Sequence, residues 1–432
     1  MDIMNDSKDY APLVIIGGGA AGLMAACQAG EQGMRVLLVE RKHRVGSKLL
    51  MCGNGRCNLT SRMEATQMLV DFGAPLDVFL RPALELFPPT LQMRWFERRG
   101  LPLMQTSDGK VFPRSERAPD VVHCFQDQLR EQNVALCTQS PVDRVEPLEG
   151  GGFMVRMPAF SVAAQQVLIT TGGVSYPKTG SVGDGQRMAV ELGHKVQPFR
   201  PGLVGIDWAG EWLQRHAGEQ FKQAVVRVFD GAIRLGETRG LLECERWGLG
   251  GGCISNATRL LSRRQAKAPI LEIQPSPDAR PFRIDPAMAR PLKEAMVTVG
   301  GVDLGSVRAE TMESTLHPGL FFAGEVLDID GPTGGYNLTA AFATATLAVK
   351  EMVRRGGERG ERVEGRGSRV EGRGKIAGYR LQTADRRPPP TGRWSKDNDG
   401  RRTSGVGRPG YEGRGSRVEG RGPRREGRGE RA

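Results

Sequence analysis

The chain has no apolar run of about eighteen or more residues, so no bilayer-spanning helix is expected. Its seven cysteines are scattered rather than arrayed as a disulfide framework, which argues against a small stapled secreted domain. The five histidines (His43, His123, His194, His216, His317) show no metal-ligand spacing, and no metal site is expected. No GxSxG elbow and no GxxxxGK[ST] loop occur, which removes the usual marks of α/β-hydrolases and P-loop nucleotidases. Positive charge is also scarce ahead of the first apolar run: MDIMNDSKDY holds three Asp against one Lys, the reverse of a secretory leader. A cytoplasmic protein is expected.

With 432 residues and 39% hydrophobic content, the chain is long enough for two or three domains with real cores. The net charge of +12 is not spread along it. Residues 354–432 carry 23 Lys+Arg against 11 Asp+Glu, and the body before them is balanced at 38 of each. This tail repeats SRVEGRG at Ser368–Gly374 and Ser416–Gly422 and offers few apolar side chains, so a disordered appendage is expected. Arg-Gly segments can neutralise phosphates without folding, which leaves weak nucleic-acid contact as the tail's one candidate partnership. Tyr379, Trp394 and Tyr411 are too sparse for base stacking to dominate.

The body opens on a dinucleotide-binding pattern. Leu13–Ile16 is an apolar strand, GGGAAG follows at once with Gly17, Gly19 and Gly22 in GxGxxG register, and a small-residue helix continues to about Gln32. A second strand, Arg35–Val39, ends on Glu40. Gly17 permits the turn, Gly19 admits a pyrophosphate, and Gly22 lets helix and strand close together. The N–H groups at the helix start (Gly19, Ala20, Ala21) then face the phosphates. Glu40, with Arg41 beside it, is placed to bind an adenosine ribose.

An NAD dehydrogenase could share this unit, so the choice of cofactor rests on distant segments. A β-meander (Val134–Thr138, Val142–Glu146, Phe153–Met157) is expected to lead into a strand Val167–Thr170 and then Thr171, Gly172 and Gly173. Near the end of the body, GLFFAGE (Gly319–Glu325) precedes GPTGGYN (Gly331–Asn337) and a helix from Leu338 to about Arg354. A strand ending on Gly324-Glu325, then a glycine loop (Thr333, Gly334, Gly335, Tyr336, Asn337) at a helix N-terminus, is a flavoprotein arrangement. The acidic side chain serves the ribityl hydroxyls, and the helix start faces the flavin edge that becomes negative on reduction. FAD is therefore the expected cofactor.

GGGAAG, Gly46-Ser47-Lys48, Gly53-Asn54-Gly55-Arg56-Cys57-Asn58, DGKVFPRS (Asp108–Ser115), TGGVSYPKTGSVGDG (Thr171–Gly185) and FFAGEVLDIDGPTGGYN (Phe321–Asn337) together resemble the BaiN-like (YhiN-like) bacterial flavoproteins, some labelled aminoacetone-oxidase-family FAD-binding enzymes. The resemblance runs in order over almost the whole body. It implies an α/β fold: a discontinuous two-dinucleotide-binding, Rossmann-like FAD domain (residues 11–200 and 296–353), an inserted smaller β-rich domain (201–295) and the disordered tail (354–432). It implies FAD-dependent hydride exchange with a small organic substrate, with NAD(P)H as a candidate donor. By position, Lys48 and Gly53, Asn54, Gly55 and Asn58 would line the flavin, Glu325 would bind ribityl, and Thr333–Asn337 would cap the isoalloxazine. Two departures touch specificity: the insertion is compact for the family, and position 52 is Cys where a small residue such as Ser is expected.

Arg56, Cys57 and Tyr336 are the candidate catalytic residues. A guanidinium at Arg56 could steady reduced-flavin charge or grip a carboxylate, or simply form an ion pair. Tyr336 could donate to a substrate or pack. Cys52 and Cys57 form CxxxxC after the first βαβ unit, the spacing of flavin disulfide reductases such as glutathione reductase, so dithiol chemistry and plain packing both stay open. No second strand-GxGxxG-helix unit for NADPH and no C-terminal His-carboxylate pair accompany the two cysteines. A flavin-binding protein without turnover, acting through its tail, is the remaining alternative.

Overall fold

The computed structural model describes residues 10–286 and 289–364. The expected disorder of the tail from residue 365 onward lies outside the described residues.

The central sheet has seven strands. Its first strand, Tyr10–Ile16, pairs in parallel with Val36–Val39 on one side and Ser161–Ile169 on the other, and Leu320–Phe322 adds in parallel to the latter. Every residue of Val36–Val39 and of Leu320–Phe322 is buried, as strands covered on both faces must be. The helix Ala20–Glu31 crosses between the first two strands. Its small residues let it lie close: a β-carbon on Gly22 would stand 1.8 Å from the Gly17 carbonyl oxygen, so only glycine fits.

The expected meander is shifted by one strand. Ala135–Cys137 belongs to the parallel sheet beside Val36–Val39, because the helix Ala118–Glu131 carries the chain there as a crossover. The backbone that follows it turns away, with the Gln139 and Ser140 N–H groups bonded to the Lys42 and Glu40 carbonyls. The meander is Arg144–Pro147, Phe153–Arg156 and Ser161–Ile169. Ahead of it lie the helices Ala65–Phe72, Leu76–Leu86 and Pro89–Arg98, outside the expected elements; each buries one apolar face while Val70, Val78 and Leu91 stay exposed.

Between residues 206 and 284 the chain buries a core of its own. The long hairpin Gln220–Asp230/Ile233–Glu245 and the strand Pro269–Gln274 build an antiparallel sheet against the helix Gly251–Arg264. Val226, Val228, Leu242, Ile254 and Leu271 form its centre. This helix is clamped to the glycine-rich segment after Leu320–Phe322 by a buried charge cluster. Arg259 Nε donates to Asp330 at 2.6 Å and its Nη2 to the Asp330 carbonyl at 2.7 Å. Arg263 pairs with Asp328 at 2.8 Å and with Asp330. Burial brings the Arg259 guanidinium down to about 10, against the pull of Tyr336 and Asp71.

The final helix, Tyr336–Glu364, starts two residues before the expected point and runs past Arg354. Glu351 explains part of the extension: it accepts from Arg354 at 2.7 Å and from Arg355 at 2.8 Å, i,i+3 and i,i+4 pairs that hold the turn.

Asp330 is fully buried between two guanidinium groups, so removing it strands both charges. Asp330→Ala should lower unfolding stability by about 3–5 kcal/mol in urea titration, and Arg259→Leu added to it should restore part of the loss.

Candidate functional site

Four segments meet at the C-terminal ends of Tyr10–Ile16, Ser161–Ile169 and Leu320–Phe322, where open α/β sheets hold ligands. The glycine loop forms the first wall. Gly17 has φ +110°, and its N–H bonds the Val39 carbonyl at 2.8 Å. Glu40 accepts from the Gly18 N–H at 2.8 Å and the Lys42 N–H at 2.7 Å, which fixes its carboxylate beside the loop. Burial raises its pKa. Arg41, next to it, pairs with Asp184 at 2.6 Å.

The helix start is bare. Gly19 is the N-cap, no side chain caps it, and no acidic residue lies in the first turn. The Ala20, Ala21 and Gly22 N–H groups therefore keep the anion-binding potential of an uncapped N-terminus. A β-carbon on Gly19 would meet nothing within 4 Å. The Thr171 hydroxyl, after the strand Ser161–Ile169, is buried against Gly185 without a hydrogen-bond partner. An open glycine and free N–H groups at an uncapped helix start fit a dinucleotide pyrophosphate.

Glu325 organises the second wall. Its Oε1 accepts from the Thr298 N–H at 2.8 Å and the Ser175 hydroxyl at 3.2 Å, and its Oε2 from Lys48 Nζ at 2.6 Å. Lys48 also donates to Ser175 at 2.7 Å. Gly172 and Gly173 lie against the same carboxylate, where a β-carbon on Gly173 would come within 3.2 Å of Oε1 and collide with Thr298. Gly324 packs on Ala21, which joins this wall to the first.

The third wall joins two loops. With its amide oriented by its partners, Asn58 accepts from the Gly335 N–H at 3.0 Å and donates to the Thr60 and Val111 carbonyls. Gly335 (φ +96°) sits so tightly on Thr60 that any side chain would strike the backbone at 2.5 Å. Asn337 accepts from the Gly331 N–H at 2.8 Å and donates to its carbonyl at 3.0 Å, closing the loop that carries Gly334. The Thr333 N–H donates to Asn256 at 2.8 Å.

The three candidate catalytic residues divide. Arg56 is half exposed, pairs with Glu116 at 3.2 Å and stacks over Phe112 at 4.7 Å. Tyr336 is buried, and its hydroxyl is held by Asp71 and by Met63 sulfur; burial, then the Asp71 carboxylate, pushes its pKa well up. Cys57 is buried with φ +62°, beside Gly53, Asn54 and Gly55, which also have positive φ. Sequence reasoning missed Thr298, Asn256, Arg259 and Arg263. They lie in the inserted stretch or just after it, outside any motif, and only the fold brings them here. Ser175 stood inside the TGGVSYP segment, where its side chain gave no sign of its partner.

This is the flavin-binding class of Rossmann folds. The chain belongs to the HI0933-like family, whose Rossmann-domain model matches residues 11–351, and it is a FAD-dependent oxidoreductase. It is 28% identical over 410 residues to a 3-dehydro-bile acid delta(4,6)-reductase of Clostridium scindens, covering 79% of this chain and 98% of that protein. It is 28% identical over 397 residues to a ribosomal RNA dihydrouridine synthase of Escherichia coli, covering 79% and 97%. Among solved structures, a 3-ketosteroid-delta4-(5alpha)-dehydrogenase from Rhodococcus jostii matches with TM-score 0.49 and 14% identity, over 81% of this chain and 98% of that one. Among the described residues, no helix is long and apolar enough to cross a membrane.

Because a β-carbon at Gly19 meets no protein atom, Gly19→Leu should leave the melting temperature of the FAD-free protein unchanged. It should weaken FAD binding by about tenfold or more, ~1.4 kcal/mol, in fluorescence titration. Equal losses in folding and binding would show that Gly19 is a packing glycine.

Proposed function

We propose that this chain uses FAD to reduce a carbon–carbon double bond conjugated to a carbonyl in a small organic substrate, with NAD(P)H as the electron donor. The two relatives support this reading, since a reductase of an oxo bile acid and a maker of dihydrouridine both saturate ring double bonds of carbonyl compounds. The observation that carries it is the single sheet edge where the bare helix start, Glu40 and the Lys48–Glu325 pair meet.

When bound, FAD supplies the hydride chemistry, and the chain supplies position and electrostatics. The helix start at Gly19–Gly22 binds the pyrophosphate and Glu40 the adenosine ribose. Glu325 keeps a free lone pair for a ribityl hydroxyl beyond the three donors it holds. The positive end of the helix beginning at Tyr336 would favour the charge a bound flavin gains on reduction. Arg56, exposed on its loop, anchors the substrate; Cys57 and Tyr336 act from behind by shaping the wall.

The inserted β-rich unit, residues 201–295, is the substrate-facing part in this reading, and the cytoplasm is its compartment, in keeping with seven unpaired cysteines. One observation favours a second reading. The basic excess sits entirely in residues 354–432, which suits an RNA substrate carrying uridine.

Under anaerobic conditions NADPH should bleach the oxidised-flavin absorbance, and a cyclic enone should restore it in one-to-one amount. Arg56→Ala should raise the enone KM about tenfold, a loss of ~1.5 kcal/mol for one charge-assisted contact, and leave the bleaching rate unchanged. Bleaching by dithionite but not by NADPH would remove the nicotinamide donor. Reoxidation by uridine-containing RNA and not by the enone would favour the second reading.

A further inference from the structure

We propose that Cys52 and Cys57 form a redox-active dithiol that reduces an accessible disulfide and closes to an internal disulfide, Cys52 attacking first and Cys57 resolving. The backbone geometry is the first ground. Five residues of α-helix would rotate two side chains about 140° apart, so CxxxxC in a helix keeps its thiols on different faces. Here the short 3-10 turn Leu49–Met51 ends at Cys52, and positive φ at Gly53, Asn54, Gly55 and Cys57 curls the chain back. The Gly55 and Cys57 N–H groups both bond the Cys52 carbonyl, at 3.2 and 2.9 Å. That turn brings Cys57 back beside Cys52, within reach of a thiol–thiol contact. Cys57 is thus a non-glycine residue held in the left-handed region, at φ +62°.

The surroundings of the two sulfurs are unequal. Cys52 receives the Cys57 S–H and the Asn58 N–H, and the Lys48 ammonium lies in Coulombic reach; the donated thiol proton chiefly, then that N–H and the cation, outweigh burial and lower its pKa. Cys57 gives its proton to that contact, is buried, and titrates well above an ordinary thiol. The other ionisable group facing the pair is Tyr176, whose phenol is raised by its own burial and by Cys52. Of the two residues Cys52 is partly exposed and Cys57 wholly covered, so Cys52 lies on the side from which an outside disulfide approaches.

The exchange balances without another reagent. The Cys52 thiolate attacks one sulfur of R–S–S–R; that bond breaks, one RS⁻ leaves, and Cys52–S–S–R forms. Cys57 sulfur then attacks Cys52 sulfur, the mixed bond breaks, and the second RS⁻ leaves with the Cys57 proton. Two electrons pass from the dithiol to the substrate disulfide, and the chain is left with one Cys52–Cys57 bond. A dithiol donor reverses the sequence. This proposal does not require the flavin reading.

The test uses the purified full chain, equilibrated across dithiothreitol redox buffers, trapped by alkylation and mapped by mass spectrometry. We expect Cys52 and Cys57 to lose two hydrogens together in one two-electron transition while the other five cysteines stay alkylated as thiols. With glutathione disulfide, Cys57→Ser should trap a mixed disulfide on Cys52, and Cys52→Ser should take up none at Cys57. The alkylation rate of Cys52 should rise with pH around a midpoint below that of free cysteine, and Cys57→Ser should move that midpoint up. A wild-type chain that stays reduced in oxidising buffer, or keeps glutathione on Cys52 without closing the internal bond, overturns the proposal.

Discussion

One carboxylate ties the site together. Glu325 takes hydrogen bonds from Lys48, Ser175 and Thr298, and these four residues come from four segments spread over 278 positions of the chain. A partly buried carboxylate needs donors at its oxygens, so the three donors and the acceptor define one another's positions. The arrangement fixes the glycine loop after Ser161–Ile169, the strand Val297–Val302 and the turn before the Tyr336–Glu364 helix in a single register. The proposed cofactor cradle is the face these pieces leave open.

A second polar device joins the inserted sheet to this frame. Arg259 and Arg263 reach from its helix to Asp328 and Asp330 on the segment that follows Glu325. Buried ion clusters are poor sources of net stability compared with apolar packing. Their directionality sets an orientation instead, and here they orient the Gly251–Arg264 helix so that Asn256 meets the Thr333 N–H.

Much of this was legible in the sequence because the chemistry was local. GGGAAG between an apolar strand and a small-residue helix, with Glu40 closing the next strand, specifies a βαβ unit from neighbouring residues alone. GLFFAGEVLDIDGPTGGYN likewise announced its strand and turn, and its helix to within two residues. The Ala135–Cys137 strand was misjudged because its choice of neighbour depends on the helix before it, which short-range alternation does not reveal. The helices from Ala65 to Arg98 carried their 3.6-residue period in Met68, Leu69 and Phe72 and in Leu76, Phe79, Leu80 and Ala83, a signal that motif reading passed over. Thr298, Arg259 and Asn256 could not be found from sequence, since each acts through a partner more than 25 residues away.

In the proposed reading this sheet edge holds a whole FAD, with the adenosine at Glu40 and the flavin at Lys48 and Glu325. Calorimetric titration of the cofactor-free chain with FAD and with FMN measures it directly. One FAD per chain with FMN far weaker, and a loss of the FAD advantage in Glu40→Ala alone, is the predicted result. Equal affinity for FMN, or an undiminished preference for FAD in Glu40→Ala, would contradict it.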